Sequence, residues 1–447
     1  MPTVPAGLPS DRDFIRAFRD HALASGGDYN GRVLGLAHPP ELEQWTSLSR
    51  PSVTSLLGRF EDVLNHQDAD GSEVPPAQAR RWALDPDAGV LLAVQIGHTS
   101  RVALADLYGR PDDSATVEKE LEGFLEEDGG NAGIADRVLD WVVRSIRGLV
   151  GDRSEHDVVA VCMSFPAPLD REKGVLRAPI SAWHRDSRAT SFDDWQLMRA
   201  RDQLVSRLGW DDVVFLIDND ANLAALAEYV WGAGRWIATR GPARLREAPV
   251  EDMVYVEWSR GIGCGLILDG TLYRGRGVAG ELGHTVIAPR SNIECPGCQK
   301  RGCLQTVAGW SAVVDKARPD DAYRLETSEL LAMLQPGHEH HDDIVHGLEV
   351  AAHCVARVLG PVINLLDPQL VVIGGFVGVH AFDLVRAPLL QGLTDFTMSP
   401  ALSDVTVRQT KLGDDRMIRG ACALALLPQR HDPETLLSFL QRRARRR

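Results

Sequence analysis

Three of the chain's seven cysteines, Cys295, Cys298 and Cys303, fall within nine residues, and His284 precedes them in the same Gly-rich stretch. Three thiolates and one imidazole are a complete tetrahedral donor set for zinc. With no coordination position left open, such a site is structural. The turns at Pro296-Gly297 and Gly302 let the Cys-x2-Cys-x4-Cys spacing wrap one ion within a single loop. The other four cysteines, Cys162, Cys264, Cys354 and Cys422, lie in apolar stretches and read as packed thiols. The opening residues, MPTVPAGLPSDRDF, show neither the basic flank nor the apolar core of an export signal. An odd, unevenly spaced cysteine set in such a chain predicts a cytoplasmic protein that uses cysteine for metal rather than for disulfides. A second run of donors, His338-Glu339-His340-His341-Asp342-Asp343, reads as a polar loop.

The chain has 447 residues, 44% of them hydrophobic and 25% charged, enough for about three domains with sizeable cores. No apolar run approaches the ~18 residues of a membrane span, so no membrane partner is expected. A net charge of -14 argues against broad binding to nucleic acid or anionic lipid, though not against one small DNA-reading module.

Residues 11–25 predict a first helix with Phe14, Ile15, Phe18 and Leu23 as its apolar stripe. A second helix starts at Pro39-Pro40-Glu41, and a turn at 46–49 follows. Ser49 then caps a third helix that begins Arg50-Pro51 and runs to about residue 64, with Val53, Leu56, Leu57 and Phe60 at helical spacing. Helix, short turn, capped helix is the helix-turn-helix pattern, and its exposed face for operator DNA would carry Ser49, Arg50, Ser52, Thr54, Ser55 and Arg59. Residues 1–84 hold 8 basic and 11 acidic side chains, a net of -3 that weakens phosphate contact. The polar stretch 66–80 reads as a wing or linker.

From residue 90 the texture changes. Buried strands are predicted at 90–94, 157–164, 213–217, 254–257 and 370–373, with 102–107 as a hairpin partner of the first. A hairpin over 261–273 turns at Asp269-Gly270, residues 117–150 form a long amphipathic region, and helices span 222–231, 311–316 and 344–365. Alternating strands and helices predict α/β architecture. The tail 441–447, five arginines among its seven residues, reads as a solvated end.

Asp218-Asn219-Asp220-Ala221-Asn222 sits where a buried strand ends and a helix begins, the usual ligand position of α/β sheets. Asp220 is a candidate general base toward a sugar hydroxyl; Asn219 and Asn222 are candidates to bond hydroxyls or to hold the loop. Ser259-Arg260-Gly261-Ile262-Gly263-Cys264-Gly265 follows a strand, and the glycines Gly261, Gly263 and Gly265 would let backbone N–H groups approach a phosphate. Gly280-Glu281-Leu282-Gly283-His284 links Glu281, a candidate sugar ligand, to the metal ligand three residues on.

In this order the motifs resemble those of the ROK family of repressors and sugar kinases. The resemblance runs over about residues 88–430 and adds Gln95-Ile96-Gly97-His98-Thr99, Phe165-Pro166-Ala167-Pro168-Leu169-Asp170, Cys295 to Gln305, and Asp367 to Gly375. It implies an actin-like fold of two lobes, duplicated ribonuclease-H-like units, preceded here by a small winged helix-turn-helix domain. The expected boundaries are 1–86 for that domain and its linker, 87–217 for the first lobe, 218–410 for the second lobe with the zinc loop, and 411–447 for C-terminal helices and tail. A hexose-type ligand would bind through Asn219, Asp220, Glu281, His284 and Gln305, and homodimers or homotetramers would form. Gly97, Thr99, Gly374 and Gly375 would join the hairpin glycines in a nucleotide site. The kinase branch carries an Asp where this chain has Gln95, and a neutral amide does not replace a carboxylate around a hard cation. His98 replaces a Gly and crowds that loop, Gln305 replaces a Glu, and the zinc loop has one extra residue between its first two cysteines.

The resulting expectation is a sugar-responsive transcriptional regulator, a repressor in type, with structural zinc. The rival is a Mg-ATP-dependent hexose kinase with Asp220 as base. A sugar sensor with neither activity is the third possibility.

Overall fold

The computed structural model describes residues 81–120, 133–177, 199–234, 250–318 and 327–427. The shorter pieces 53, 56–57, 64–67, 123–124, 237–240, 245–248, 325 and 435–444 are described as well. The proposed DNA-contact residues Ser49, Arg50, Ser52, Thr54, Ser55 and Arg59 lie outside these. Val53, Leu56 and Leu57 are helical and buried as their spacing predicts. By Leu64 the chain has become a strand, Leu64–Gln67, paired antiparallel with Arg81–Leu84 around the stretch read as a wing.

The first lobe opens with β1 (Val90–Gln95), β2 (Thr99–Ala105) and β3 (Pro111–Glu120), an antiparallel meander. Helix α1 (Ile134–Val150), strand β4 (Val158–Phe165), helix α2 (Ala200–Leu208) and strand β5 (Val214–Asn219) follow. The expected amphipathic region 117–150 is therefore corrected: its first residues complete an edge strand, residues 123–124 are helical, and α1 supplies its last part from Ile134. The strand PDDSATVEKE is polar because a sheet edge is mostly exposed. β4 and β5 add in parallel, giving the order β3-β2-β1-β4-β5.

Helix α3 (Asp220–Trp231) leads to the second lobe. There β6 (Met253–Trp258), β7 (Ile262–Leu268) and β8 (Thr271–Tyr273) form another antiparallel meander, turning at Asp269-Gly270 as the sequence predicts. Next come α4 (Leu304–Ala308), α5 (Trp310–Ala317), α6 (His341–Leu366), β9 (Leu370–Gly374), α7 (Phe382–Phe396) and β10 (Thr406–Gln409). β9 is thus not the last strand: β10 pairs beside it, in parallel. The order β8-β7-β6-β9-β10 repeats that of the first lobe, strand for strand. This is the duplicated two-lobed actin-like architecture.

Helix α6 meets the length and composition of a membrane span, which corrects the expectation that no apolar run comes close. Its apolar stripe, including Ile344, Leu348, Val355 and Leu359, is buried in the second lobe's core against α7 and α5. It occupies the position of a core helix.

Two elements tie the lobes together. α3 packs Leu223, Leu226 and Val230 against the first sheet, and Ala224 and Ala225 against the second. α8 (Arg416–Leu426) follows the last strand of the second lobe yet packs on α3, β1 and β4. The tail is not a solvated end over its described part. It forms α9 (Thr435–Ala444), whose Phe439 is fully buried, while Arg442 donates to the backbone oxygens of Asp212 (2.8 Å) and Val158 (2.8 Å).

Candidate functional site

The candidate site centres on the β5–α3 junction. Asn219 is the N-cap of α3: its Oδ1 accepts from the N–H groups of Ala221 (3.0 Å) and Asn222 (3.3 Å), and its Nδ2 donates to the Ala167 oxygen (3.3 Å). Of its two proposed roles, holding the loop is the one its amide performs. Asn222 Nδ2 likewise donates to Asp218 Oδ1 (3.0 Å). Asp218 is buried and ion-paired with Arg274 (2.6 Å) and Arg171 (3.5 Å). Burial acts to raise its carboxyl, but the two guanidiniums prevail and hold it below the ordinary range.

Asp220 occupies the first position of α3, where the helix dipole favours an anion. Burial nonetheless pushes its carboxyl up to about 7, helped by the charges of Glu257 and Glu281. An acid near neutrality can both accept and donate a hydrogen bond to a hydroxyl. Burial also raises Glu281, whose Oε2 lies 3.6 Å from His284 Nε2. Asp220, Glu281 and His284 thus form one electrostatically linked group.

On the other side of His284 lies a Cys/His knuckle. Its Nδ1 is 3.4 Å from Cys295 Sγ, and Cys298 Sγ is 3.4 Å from Cys303 Sγ. All four donor atoms lie within 4.8 Å of one another, close to the ~3.8 Å sulfur–sulfur edges of a tetrahedron with ~2.3 Å metal–sulfur bonds. Three sulfurs and one ring nitrogen, gathered at that spacing, fit a metal ion. The loop is closed by a tight turn in which Gln299 takes a left-handed conformation and Cys295 N–H bonds the Lys300 oxygen (2.7 Å). Gln305, on α4, donates from Nε2 to Cys295 Sγ (3.1 Å). Among the described residues this is the one His/Cys/Asp/Glu group whose donors converge in this way; the run His338–Asp343 does not.

The expected nucleotide residues are placed differently. A Cβ on Gly265 would come 2.4 Å from the Ala221 oxygen and 2.5 Å from Ala225 Cβ, and one on Gly263 would come 3.0 Å from Ala221 Cβ. Close packing on α3 accounts for both glycines. Gly261 instead faces Gln305. Gly375 takes a left-handed turn, and the next N–H, of Phe376, donates to Ser259 Oγ (3.0 Å). Between β1 and β2 Gly97 precedes His98, which pairs with Glu120 (3.1 Å); Thr99 Oγ1 donates to the same carboxylate (2.7 Å). Gln95 Oε1, Ser164 Oγ and Asn222 Oδ1 are buried without a hydrogen-bond partner. Gln95 and Ser164 stand side by side at the ends of adjacent strands, where ordered water or a ligand would satisfy them.

Sequence reasoning missed a buried ion pair behind the hairpin. Glu257, on β6, receives Arg416 of α8 through Nε (2.8 Å) and Nη2 (2.5 Å), and also Tyr255 Oη (2.7 Å) and Ser259 Oγ (2.7 Å). A lone carboxylate inside the apolar strand MVYVEW was the signal, because a buried charge needs a partner.

Two matching lobes joined at a carboxylate-bearing helix, with a Cys/His knuckle beside that carboxylate, define the actin-like sugar-kinase class. Residues 134–427 match the ROK family, and the chain belongs to it. It is 27% identical to the glucokinase of Thermotoga maritima over 75% of this chain and 96% of that protein. It is 32% identical to an N-acetylmannosamine kinase of Salmonella paratyphi B over 46% of this chain and 63% of that one. A solved ROK family transcriptional regulator, a homologue of the E. coli MLC protein, superposes with a TM-score of 0.68 at 18% identity, covering 97% of this chain and 99% of its own.

Proposed function

We propose that the chain is a cytoplasmic, sugar-responsive DNA-binding regulator of the ROK family. A hexose or hexose phosphate binds between its lobes, structural zinc fills the Cys/His knuckle, and the protein acts as a dimer or tetramer on operator DNA. The observation that carries this reading is the end of β1. There a carboxamide, Gln95, stands at the position where the kinase pattern has a carboxylate, and a hard cation holding ATP phosphates needs charged oxygen ligands. The glycines at 263 and 265 pack against α3, and the N–H after Gly375 is taken by Ser259, which further supports a site built for sugar and not for nucleotide. The regulator's superposition over 97% of this chain, against 75% aligned with the glucokinase, supports the same chain organisation.

Asp220, Glu281 and His284 supply the sugar contacts, with Asn219 shaping the loop from beneath. Sugar acts on DNA binding only if it favours one lobe arrangement over the other. α3 and α8, which touch both lobes, are the elements such a change would move.

One observation favours a second reading, an ATP-dependent hexose kinase. Asp220, held near neutrality, is poised as a general base, and the two aligned enzymes are sugar kinases. A coupled assay with Mg-ATP over a hexose panel separates the two. We expect no turnover above background, and a gel shift on the protein's own upstream DNA that responds to sugar. Robust turnover abolished by Asp220→Asn would establish the kinase instead. Neither turnover nor a gel shift would leave a sugar sensor that works through other contacts.

A further inference from the structure

We propose that Gln305 is a metal-tuning residue: its side-chain N–H donates to the metal-bound Cys295 sulfur and so joins the knuckle to the Gly-rich hairpin. This rests on the zinc reading of the knuckle and goes beyond it by assigning the residue that controls the site from outside the donor set. Three observations carry the assignment. Nε2 lies 3.1 Å from Cys295 Sγ, within N–H···S range. A metal-bound thiolate only accepts hydrogen bonds, so its chemistry fixes which end of the amide faces it. The other end, Oε1, lies 3.2 Å from where a Cβ on Gly261 would sit and 3.1 Å from one on Gly283, next to His284. One side chain therefore bonds a proposed metal ligand and fills the space over Gly283, beside the second ligand, and over Gly261 in the Gly-rich hairpin.

The residue type matters. Three thiolates around a divalent cation leave a net negative centre, and an N–H donor disperses that charge. A carboxylate at 305, as the family pattern has, cannot donate and would add like charge. With one N–H on sulfur, Gln305 keeps a neutral amide oxygen and one further N–H, so it supplies no charged sugar acceptor of the kind in that pattern. Gln305 is thus a positioning residue whose effect on sugar runs through the metal.

The test uses the full-length chain with zinc itself and with cobalt in its place. Gln305→Met keeps the bulk and removes the donor; Gln305→Glu also adds charge. Zinc competition against a chromophoric chelator should show affinity falling by about 10–100-fold in both variants, more in Gln305→Glu. The sulfur-to-cobalt charge-transfer band should move to lower energy, because a thiolate that loses its donor is easier to oxidise. A side chain that merely fills space would leave that band in place. Wild-type affinity and an unmoved band in both variants would overturn the proposal, as would a purified chain that binds no zinc. If the variants do not fold, cadmium-substituted wild type decides: scalar coupling between cadmium and the Gln305 amide protons supports the bond, and its absence rules the bond out. No readout involves sugar or DNA, so failure of the regulator reading and failure of this assignment are separately visible.

Discussion

Burial, together with the charges of Glu257 and Glu281, keeps a proton on Asp220 up to about pH 7 in the folded chain, against 3.8 for a free carboxyl. The sign follows from linkage. The folded state binds this proton more tightly, so its contribution to stability is full below about pH 4 and is lost as pH rises through about 7. Tenfold tighter proton binding is worth about 1.4 kcal/mol. Urea denaturation from about pH 4 to about pH 8 should therefore show a loss of stability toward neutrality, and Asp220→Asn should flatten that slope. An unchanged slope would mean that Asp220 ionises normally. At this scale the convergence of His284, Cys295, Cys298 and Cys303 was legible, because donor type and spacing are local properties of sequence. The roles of Asn219 and Gln305 were not. An amide can cap, bond a sugar or touch sulfur, and only the neighbours brought by folding decide among these.

Elements pack here under two tight constraints. The first is α3 against β7, where Gly265 leaves no room for a Cβ beside the Ala221 oxygen and Ala225. Gly265→Val should cost roughly 1–3 kcal/mol or more through overpacking, read as a lower urea midpoint with unchanged slope. The second is the buried pair that fastens α8 to β6. Arg416→Met alone strands the Glu257 carboxylate, with a loss of about 3–5 kcal/mol, whereas Glu257→Leu combined with Arg416→Met should restore most of it. A double variant no better than the single one would show that the pair is more than a charge-compensating contact. Partners 159 positions apart leave no spacing signal, although Glu257 alone in an apolar strand announces that some partner exists. Edge strands hid for a related reason. β3 is polar, carries no alternation and resembles a loop until β2 supplies its hydrogen bonds. The central strands β4, β6 and β9, mostly apolar and buried throughout, were readable directly.

Across the whole molecule, the repeated strand order gives two lobes that share α3 and receive α8 only after the second lobe is complete. That return of the chain is topology, and no local pattern encodes it. The Cys/His knuckle lies on the loop between β8 and α4; its donor residues fall outside the two large cores, although Leu282 and Leu304 beside them pack into the second lobe's core. On the proposed reading, metal would order the loop that carries His284 and Glu281 while holding no strand of either sheet, and its removal should act in two stages. Moderate chelator should first abolish the rise in melting temperature that a bound hexose produces by mass action, while far-ultraviolet circular dichroism and the main transition persist. Global unfolding should need heat or denaturant in addition. If chelation instead unfolds the entire chain in one step, as in small domains whose folding energy is metal binding, the knuckle belongs to the core of the fold and not to the sugar wall.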